Sequence, residues 1–401
     1  MANTLVPQDV YELINEVAAQ ATGRNDISVV DTSSFVAVGE MLVRTAAENT
    51  LNAISTITSR TIFSVRPYKG KLDSLRVAQE RWGALTRKII PLYKEAEASE
   101  DWNTEQNPTA LADGGTVDHY KINKPEVIQL NFVGTKVLQK HITIFRDQLS
   151  QAFRSESEFV SFLDAVMTQF MNEIEILNEA ETRATLVNYI AGLSAMGLEE
   201  VDLVAEFNIE NGTTYTRGDL LGKDHIEEFM KFVASTIKIY SGYLTDITTS
   251  YHASISNYSK IMRHTPKEKQ KMIMYEPVFT KMQAEVYSSI FNPEYLNIGE
   301  YEGVNYWQAK NDPTAIDCKP NILDVSTGAS KTSDVEVNLP YVLGVLFDTE
   351  AIGVVPQFEY SSTTPENSAG GYFNTYYHWR FNSQVDYTEN AVLFVLGEGG
   401  E

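Results

Sequence analysis

The sequence predicts an α+β fold built from several lobes that share elements. Three observations lead there. Apolar residues recur at helical spacing from Phe159 to Ile190, β-like runs flank a polar stretch between Thr61 and Ile144, and β texture returns from Tyr341 onward. The 401 residues, 43% of them hydrophobic and 21% charged, suffice for a substantial core and exclude a disordered tail.

Residues 8–22 read as a short amphipathic helix, with Val10, Leu13, Ile14 and Val17 on one face and Gly23 ending it. Residues 33–57 read as a second, through Phe35, Val38, Leu42, Ala46, Leu51 and Ile54. Neither is long enough to make a domain, so the segment is expected to pack as an arm on something else. Two β-like runs follow, Thr61–Val65 and Val127–Phe132. The stretch between them, Glu95 to Lys124, holds Asn107-Pro108 and Asp113-Gly114-Gly115, turn chemistry that a core strand excludes. Together they describe a long hairpin-like excursion, and excursions of this length are usually functional or disordered rather than neutral.

The strongest helical pattern comes next. Ser155 and Glu158 fit a capping box, and Phe159, Leu163, Val166, Phe170, Ile174, Leu177, Ala184, Val187 and Ile190 run on to Gly192. A helix over 156–191 spans roughly 54 Å at about 1.5 Å per residue, long for a compact domain and suited to a strut. The apolar positions drift from a strict heptad, which argues against a coiled coil. Another helix is expected from His225 to Tyr240, capped by Asp224, then a buried strand at Lys271–Tyr275 and a helix opened by Pro277 through Met282, Val286 and Ile290. The end reads as strands at Tyr341–Phe347, Gly371–Phe381 and Val385–Leu396.

With 54 acidic and 32 basic residues the net charge is −22, which repels phosphate and disfavours a dedicated nucleic-acid reader. The densest basic cluster (Arg76, Arg81, Arg87, Lys88, Lys94) is diluted by apolar residues and reads as a solvated face or a subunit contact. One cysteine, Cys318, leaves no intrachain disulfide. The start lacks the pattern of a signal peptide, and no run approaches a membrane span, so a soluble, cytosol-made protein is expected.

There is no phosphate-binding glycine loop, no His-Glu-x-x-His and no nucleophile elbow. His119, His141, His225, His252, His264 and His378 are scattered without ligand spacing. Cys318 lies in no nucleophile context. Glu175 and Glu179, four apart among Glu173 and Glu181, mimic paired catalytic carboxylates but read better as the wet face of a helix. Asp113-Gly114-Gly115 reads as a loop tip rather than a ligand cradle. The expectation is therefore no enzyme, with no catalytic, cofactor-binding or metal-binding residue.

The closing region carries a resemblance. It holds Leu343-Gly344-Val345-Leu346-Phe347-Asp348-Thr349-Glu350-Ala351-Ile352-Gly353, then Thr364-Pro365-Glu366-Asn367 leading to Tyr376-Tyr377-His378-Trp379, and finally Asp386-Tyr387-Thr388-Glu389-Asn390-Ala391. In this order the motifs resemble the C-terminal part of tailed-bacteriophage major capsid proteins. The resemblance implies an HK97-like capsid fold: an N-terminal arm (1–60), an extended E-loop with flanking strands (61–145), a peripheral domain with the spine helix (146–220), an axial α/β domain (221–340), and C-terminal strands (341–401) returning to the peripheral and axial sheets. It implies a subunit that assembles with itself, as hexamers and pentamers, into an icosahedral shell around double-stranded DNA, bound without sequence specificity. Scaffolding and portal proteins are the implied partners, the virion the implied location, and the host bacterial cytoplasm the place of assembly. Some members weld subunits by a lysine–asparagine isopeptide bond. Lys94, Lys121, Asn374 and Asn390 are present here, but no motif pairs them and no crosslink is predicted. The alternatives are an encapsulin-type compartment shell, usually a shorter chain, and a soluble α/β enzyme with no recognisable site motif.

Overall fold

The computed structural model describes residues 7–24, 26–58, 70–77, 86–93, 96, 111–120, 122, 124, 126–132, 135–255, 261–280 and 301–400. The helices are α1 (Pro7–Thr22), α2 (Thr32–Thr45), α3 (Ala47–Thr58), α4 (Arg146–Ala152), α5 (Glu156–Ala195), α6 (Leu203–Asn211), α7 (Arg217–Leu220) and α8 (Ile226–Tyr243). The strands are β1 (Thr86–Pro91), β2 (Val127–Phe132), β3 (Thr135–Phe145), β4 (Glu200–Asp202), β5 (Gln270–Tyr275), β6 (Glu302–Val304), β7 (Ile316–Cys318), β8 (Asn321–Leu323), β9 (Ser330–Thr332), β10 (Val337–Leu339), β11 (Val342–Asp348), β12 (Ile352–Thr363), β13 (Tyr372–Val385) and β14 (Ala391–Val395). The chain divides into two compact units, one of Met1–Ala84, Gly134–Arg183 and Val354–Ser383, the other of Leu85–Val133, Ala184–Gly353 and Gln384–Glu401.

In the first unit, α1, α2 and α3 share a core with α4 and the start of α5. Ile14, Val17, Phe35, Leu42, Leu51, Phe153 and Phe159 are buried in it, and Phe35 lies 5.9 Å from Phe159 and 6.1 Å from Phe153, ring centre to ring centre. The single helix expected over 33–57 is broken at Ala46, whose φ of −148° and ψ of 38° leave the helical region. The break turns α3 back onto α1. A periodic apolar pattern on both sides of a single residue does not reveal such a turn.

The same unit holds a three-stranded sheet in the order β12–β13–β3. β13 runs antiparallel to β3 from Tyr372 opposite Phe145 to Asn382 opposite Thr135. Period-2 alternation puts Phe373, Tyr377, Trp379 and Phe381 on the buried face. Ile174 of α5 packs there against Val354, Tyr377, Trp379 and Phe381.

The second unit is built on a five-stranded sheet in the order β4–β14–β11–β5–β6. β11 lies antiparallel to both β14 and β5, while β4 and β6 add parallel edges. β11 and β14 are buried along their whole length, as a continuous apolar run requires when both faces are covered. Tyr240 of α8 meets Phe394 of β14 at 5.9 Å, and Phe229 meets Phe207 of α6 at 5.5 Å. The helix expected to be capped by Asp224 has His225 at its N-cap instead, with no side-chain cap bond. Asp202 does cap α6: its Oδ1 accepts from Val204 N (3.0 Å), Ala205 N (3.3 Å) and Gly397 N (2.9 Å). Asp202→Ala is expected to cost about 1–2 kcal/mol, read as a lower urea midpoint with an unchanged slope.

Trp379, Phe381 and Leu393–Leu396 are all buried. The first two belong to the three-stranded sheet, and Leu393 to Val395 to the five-stranded one. Residues 386–390 separate β13 from β14, where the sequence predicts a single strand from Val385 to Leu396.

Candidate functional site

The expected excursion has its described base in β1 and β2, antiparallel from Thr86 opposite Phe132 to Pro91 opposite Val127. The partner of β2 is therefore β1; the run Thr61–Val65, Arg81, Lys94, Lys121 and most of the expected tip lie outside the described residues. Asp113-Gly114-Gly115 is described and exposed, with Gly114 at a φ of +81°. One face of the ladder, Ile90, Ile128 and Leu130, is buried against Ile255 and Ile261. The other face leaves Ile89 62% and Val127 57% exposed.

Lys88 stands on the inward face, next to Ile90, and its ammonium is the centre of an ion cluster. Nζ donates to Asp386 Oδ2 at 2.8 Å and to Glu389 Oε1. Arg263 Nη2 reaches Glu389 Oε1 at 3.2 Å, and its Nε donates to the Thr388 carbonyl at 3.0 Å. Glu350 lies at the rim, 4.0 Å from Lys88 and 3.1 Å from Lys269. Burial opposes the Lys88 charge, but Asp386 and Glu389 outweigh it and hold the amine above its ordinary value. Burial also pushes the Glu389 carboxyl up, against the pull of Lys88 and Arg263.

The turn that supplies these carboxylates, Asp386-Tyr387-Thr388-Glu389-Asn390, is itself fixed from every side. Asp386 Oδ1 accepts from Thr388 N (2.8 Å) and Oγ1 (2.6 Å). Tyr387 donates its hydroxyl to the Asn321 carbonyl at 2.7 Å and stacks on Tyr189 of α5 at 5.4 Å. Gly192, one turn of helix further on, is the position that admits this ring: a Cβ there would stand 2.0 Å from the Tyr387 hydroxyl. Asn390 Oδ1 lies 2.9 Å from Nδ1 of the buried His252, whose Nε2 is 3.0 Å from the Ile261 carbonyl. The closing motif seen in the sequence is thus a polar hub that ties the hairpin base to the five-stranded unit.

On α5, Glu173 pairs with Lys140, Glu175 with Arg76 (2.7 Å), Glu179 with Arg183 (2.8 Å) and Glu181 with Lys136 (2.6 Å). The glutamates read as a wet face are engaged by cations, because each partner comes from an adjacent turn or a segment distant in sequence. The basic cluster behaves likewise, with Arg76 and Lys88 turned inward onto carboxylates. Cys318 sits half-buried in β7, and burial raises its thiol, the wrong direction for a nucleophile. Among the described residues no group of three or more histidine, cysteine, aspartate or glutamate side chains is placed to hold a metal. No helix among them is long and apolar enough to cross a membrane.

A model of the Phi29-like phage major capsid protein family matches residues 12–395. Among solved structures, the chain is similar to one titled as the capsid structure of Staphylococcus phage Andhra, with a TM-score of 0.52 and 10% identity over 84% of this chain and 87% of that one. A chain from the structure of the head fiber and inner core protein gp22 of native bacteriophage P68 gives a TM-score of 0.51 at 11% identity, again over 84% and 87%. At such identities the likeness is one of fold. No curated protein matches the sequence.

Proposed function

The chain belongs to the Phi29-like phage major capsid protein family, and from that premise we propose how its parts serve a shell. The protein is a structural subunit of the virion that assembles with copies of itself into a capsid. The single observation that carries this is the family match along nearly the whole chain.

Within the HK97-like plan we assign 1–60 to the N-terminal arm, 61–145 to the E-loop with its flanking strands, 146–220 to the peripheral domain with the spine helix, 221–340 to the axial domain and 341–401 to the closing strands. The reading gives the protein no catalytic, cofactor or metal-binding residue. Scaffolding and portal proteins are its expected partners during assembly in the host cytoplasm. The shell encloses double-stranded DNA without reading its sequence, and a chain of net charge −22 suits a wall along which DNA slides rather than sticks.

The excursion is the expected contact element. Its base combines a buried ion anchor at Lys88 with an exposed apolar face at Ile89 and Val127, an arrangement that fixes the hairpin inside its own subunit while leaving surface for a neighbour. Deleting Glu100 to Thr116 is expected to leave a subunit with native circular dichroism and a cooperative melt that forms no shells. Normal shells from the deleted chain would refute the division between folded body and contact loop.

A further inference from the structure

We propose that the cluster around the 386–390 turn is a proton-operated latch, closed at neutral pH and released by acid, which sets whether the base of the β1–β2 hairpin is held to the five-stranded unit. The grounds are geometric. Four ionic side chains meet there, Lys88 and Arg263 against Asp386 and Glu389, so the directly paired charges cancel. Their side chains are 20%, 16%, 4% and 7% exposed in that order, which makes Lys88 the member with the readiest route to water. Lys88 is also the only one carried by the hairpin.

His252 adjoins this group. Its two ring nitrogens lie 2.9 Å from Asn390 Oδ1 and 3.0 Å from the Ile261 carbonyl, and Asn390 Nδ2 lies 3.4 Å from Thr265 Oγ1. A neutral imidazole that donates to the carbonyl needs the Asn390 amide turned over, so that its NH2 faces Nδ1 and Thr265 donates to its oxygen. An imidazolium is served by the amide as it stands. Both protonation states can keep their hydrogen bonds, and what changes between them is charge. The charged groups acting on His252 are Arg263 from the 261–265 segment and Asp386 from the turn; those acting on Glu389 are Arg263, Asp386 and Lys88 from β1, with Glu350 at the rim 4.0 Å from Lys88.

Acid adds positive charge at two places, although the two shifts act on stability with opposite signs. Burial, with the nearby Arg263 cation adding to it, lowers His252 from 6.5 despite its two hydrogen bonds, and burial raises Glu389 from 4.5. The stability that His252 contributes as a neutral ring is therefore present above pH 6.5 and lost as pH falls through its lowered value. Protonating Glu389 relieves that carboxyl's own desolvation, so the body is not harmed, but Lys88 loses an anchor. A proton on Glu389 leaves Lys88 with Asp386 as its remaining close anchor, a proton on His252 adds positive charge beside Arg263, and Lys88, the most exposed cation of the cluster, is the one with a route to water. The hairpin base loosens while the sheet beneath it stays folded.

The test is amide hydrogen exchange on the full-length, unassembled chain at about pH 7.5 and about pH 5, with the intrinsic chemical rates divided out. Protection of Thr86–Ile90 and Val127–Phe132 is expected to fall at least about ten-fold at the lower pH while β11 and β14 keep theirs. Glu389→Gln, a neutral mimic, is expected to show the low hairpin protection already at neutral pH. His252→Gln is expected to move the transition to lower pH, and if it fails to fold, the Glu389→Gln arm decides alone. Unchanged hairpin protection in the parent chain, parallel loss in β11 and β14, full protection in Glu389→Gln, or an unmoved transition in His252→Gln would each overturn the latch. Although its consequence for assembly rests on the shell reading, the measurement is made on single subunits, so failure of the latch is separable from failure of that reading.

Discussion

Lys88→Met is expected to lower the stability of the second unit by about 3 kcal/mol and to abolish shell formation. Methionine fits the apolar stem of lysine and packs beside Ile90, so the loss is not one of volume. It is electrostatic: Asp386 and Glu389, 4% and 7% exposed, are left with only Arg263 between them. An uncompensated buried carboxylate costs far more than its pair contributes, which is why removing one partner is severe. Chemical denaturation reads the first effect and sedimentation of the expressed protein the second. A double variant, Lys88→Met with Glu389→Gln, should recover part of the stability without restoring shells, because it removes the stranded charge but not the missing anchor.

Gly192→Ala is the second large effect, a loss of about 2–3 kcal/mol from one added methyl group. The new Cβ would lie 2.0 Å from the Tyr387 hydroxyl and 2.5 Å from its Cζ. Tyr387 cannot step aside, since its ring is stacked on Tyr189 and its hydroxyl is spent on the Asn321 carbonyl. The collision is passed to the 386–390 turn and through it to Lys88. Pairing the change with Tyr387→Ala should give a double variant less damaged than the sum of the two single ones, because the obstacle and the intruder are removed together. Additive losses in that cycle would mean that Gly192 and Tyr387 do not meet.

What was legible in the sequence follows the range of the interactions. The helix α5 announced itself through apolar residues three and four apart, and β11 through an unbroken apolar run, since both patterns are local. The role of Lys88 was not legible: its carboxylates lie 298 and 301 residues away, so it read as one more solvated charge. The α5 glutamates failed in the same way, as Arg76 meets Glu175 from 99 residues distant. The pairing of β1 with β2 was missed because Arg87 and Lys88 interrupt the apolar alternation. Lys88 can face inward only because acids await it there. The closing motif was visible as a string of residue types, but its work as a hub depends on Asn188, His252 and Asn321, none of which carries a signal of its own.

Negative-stain imaging of the purified full-length chain, alone and co-expressed with a candidate scaffolding protein, tests the central claim most directly. A shell subunit gives hexamers, pentamers, curved sheets or closed particles in at least one of the two preparations. A stable, compact monomer in both, with an ordered small-molecule pocket, would contradict it.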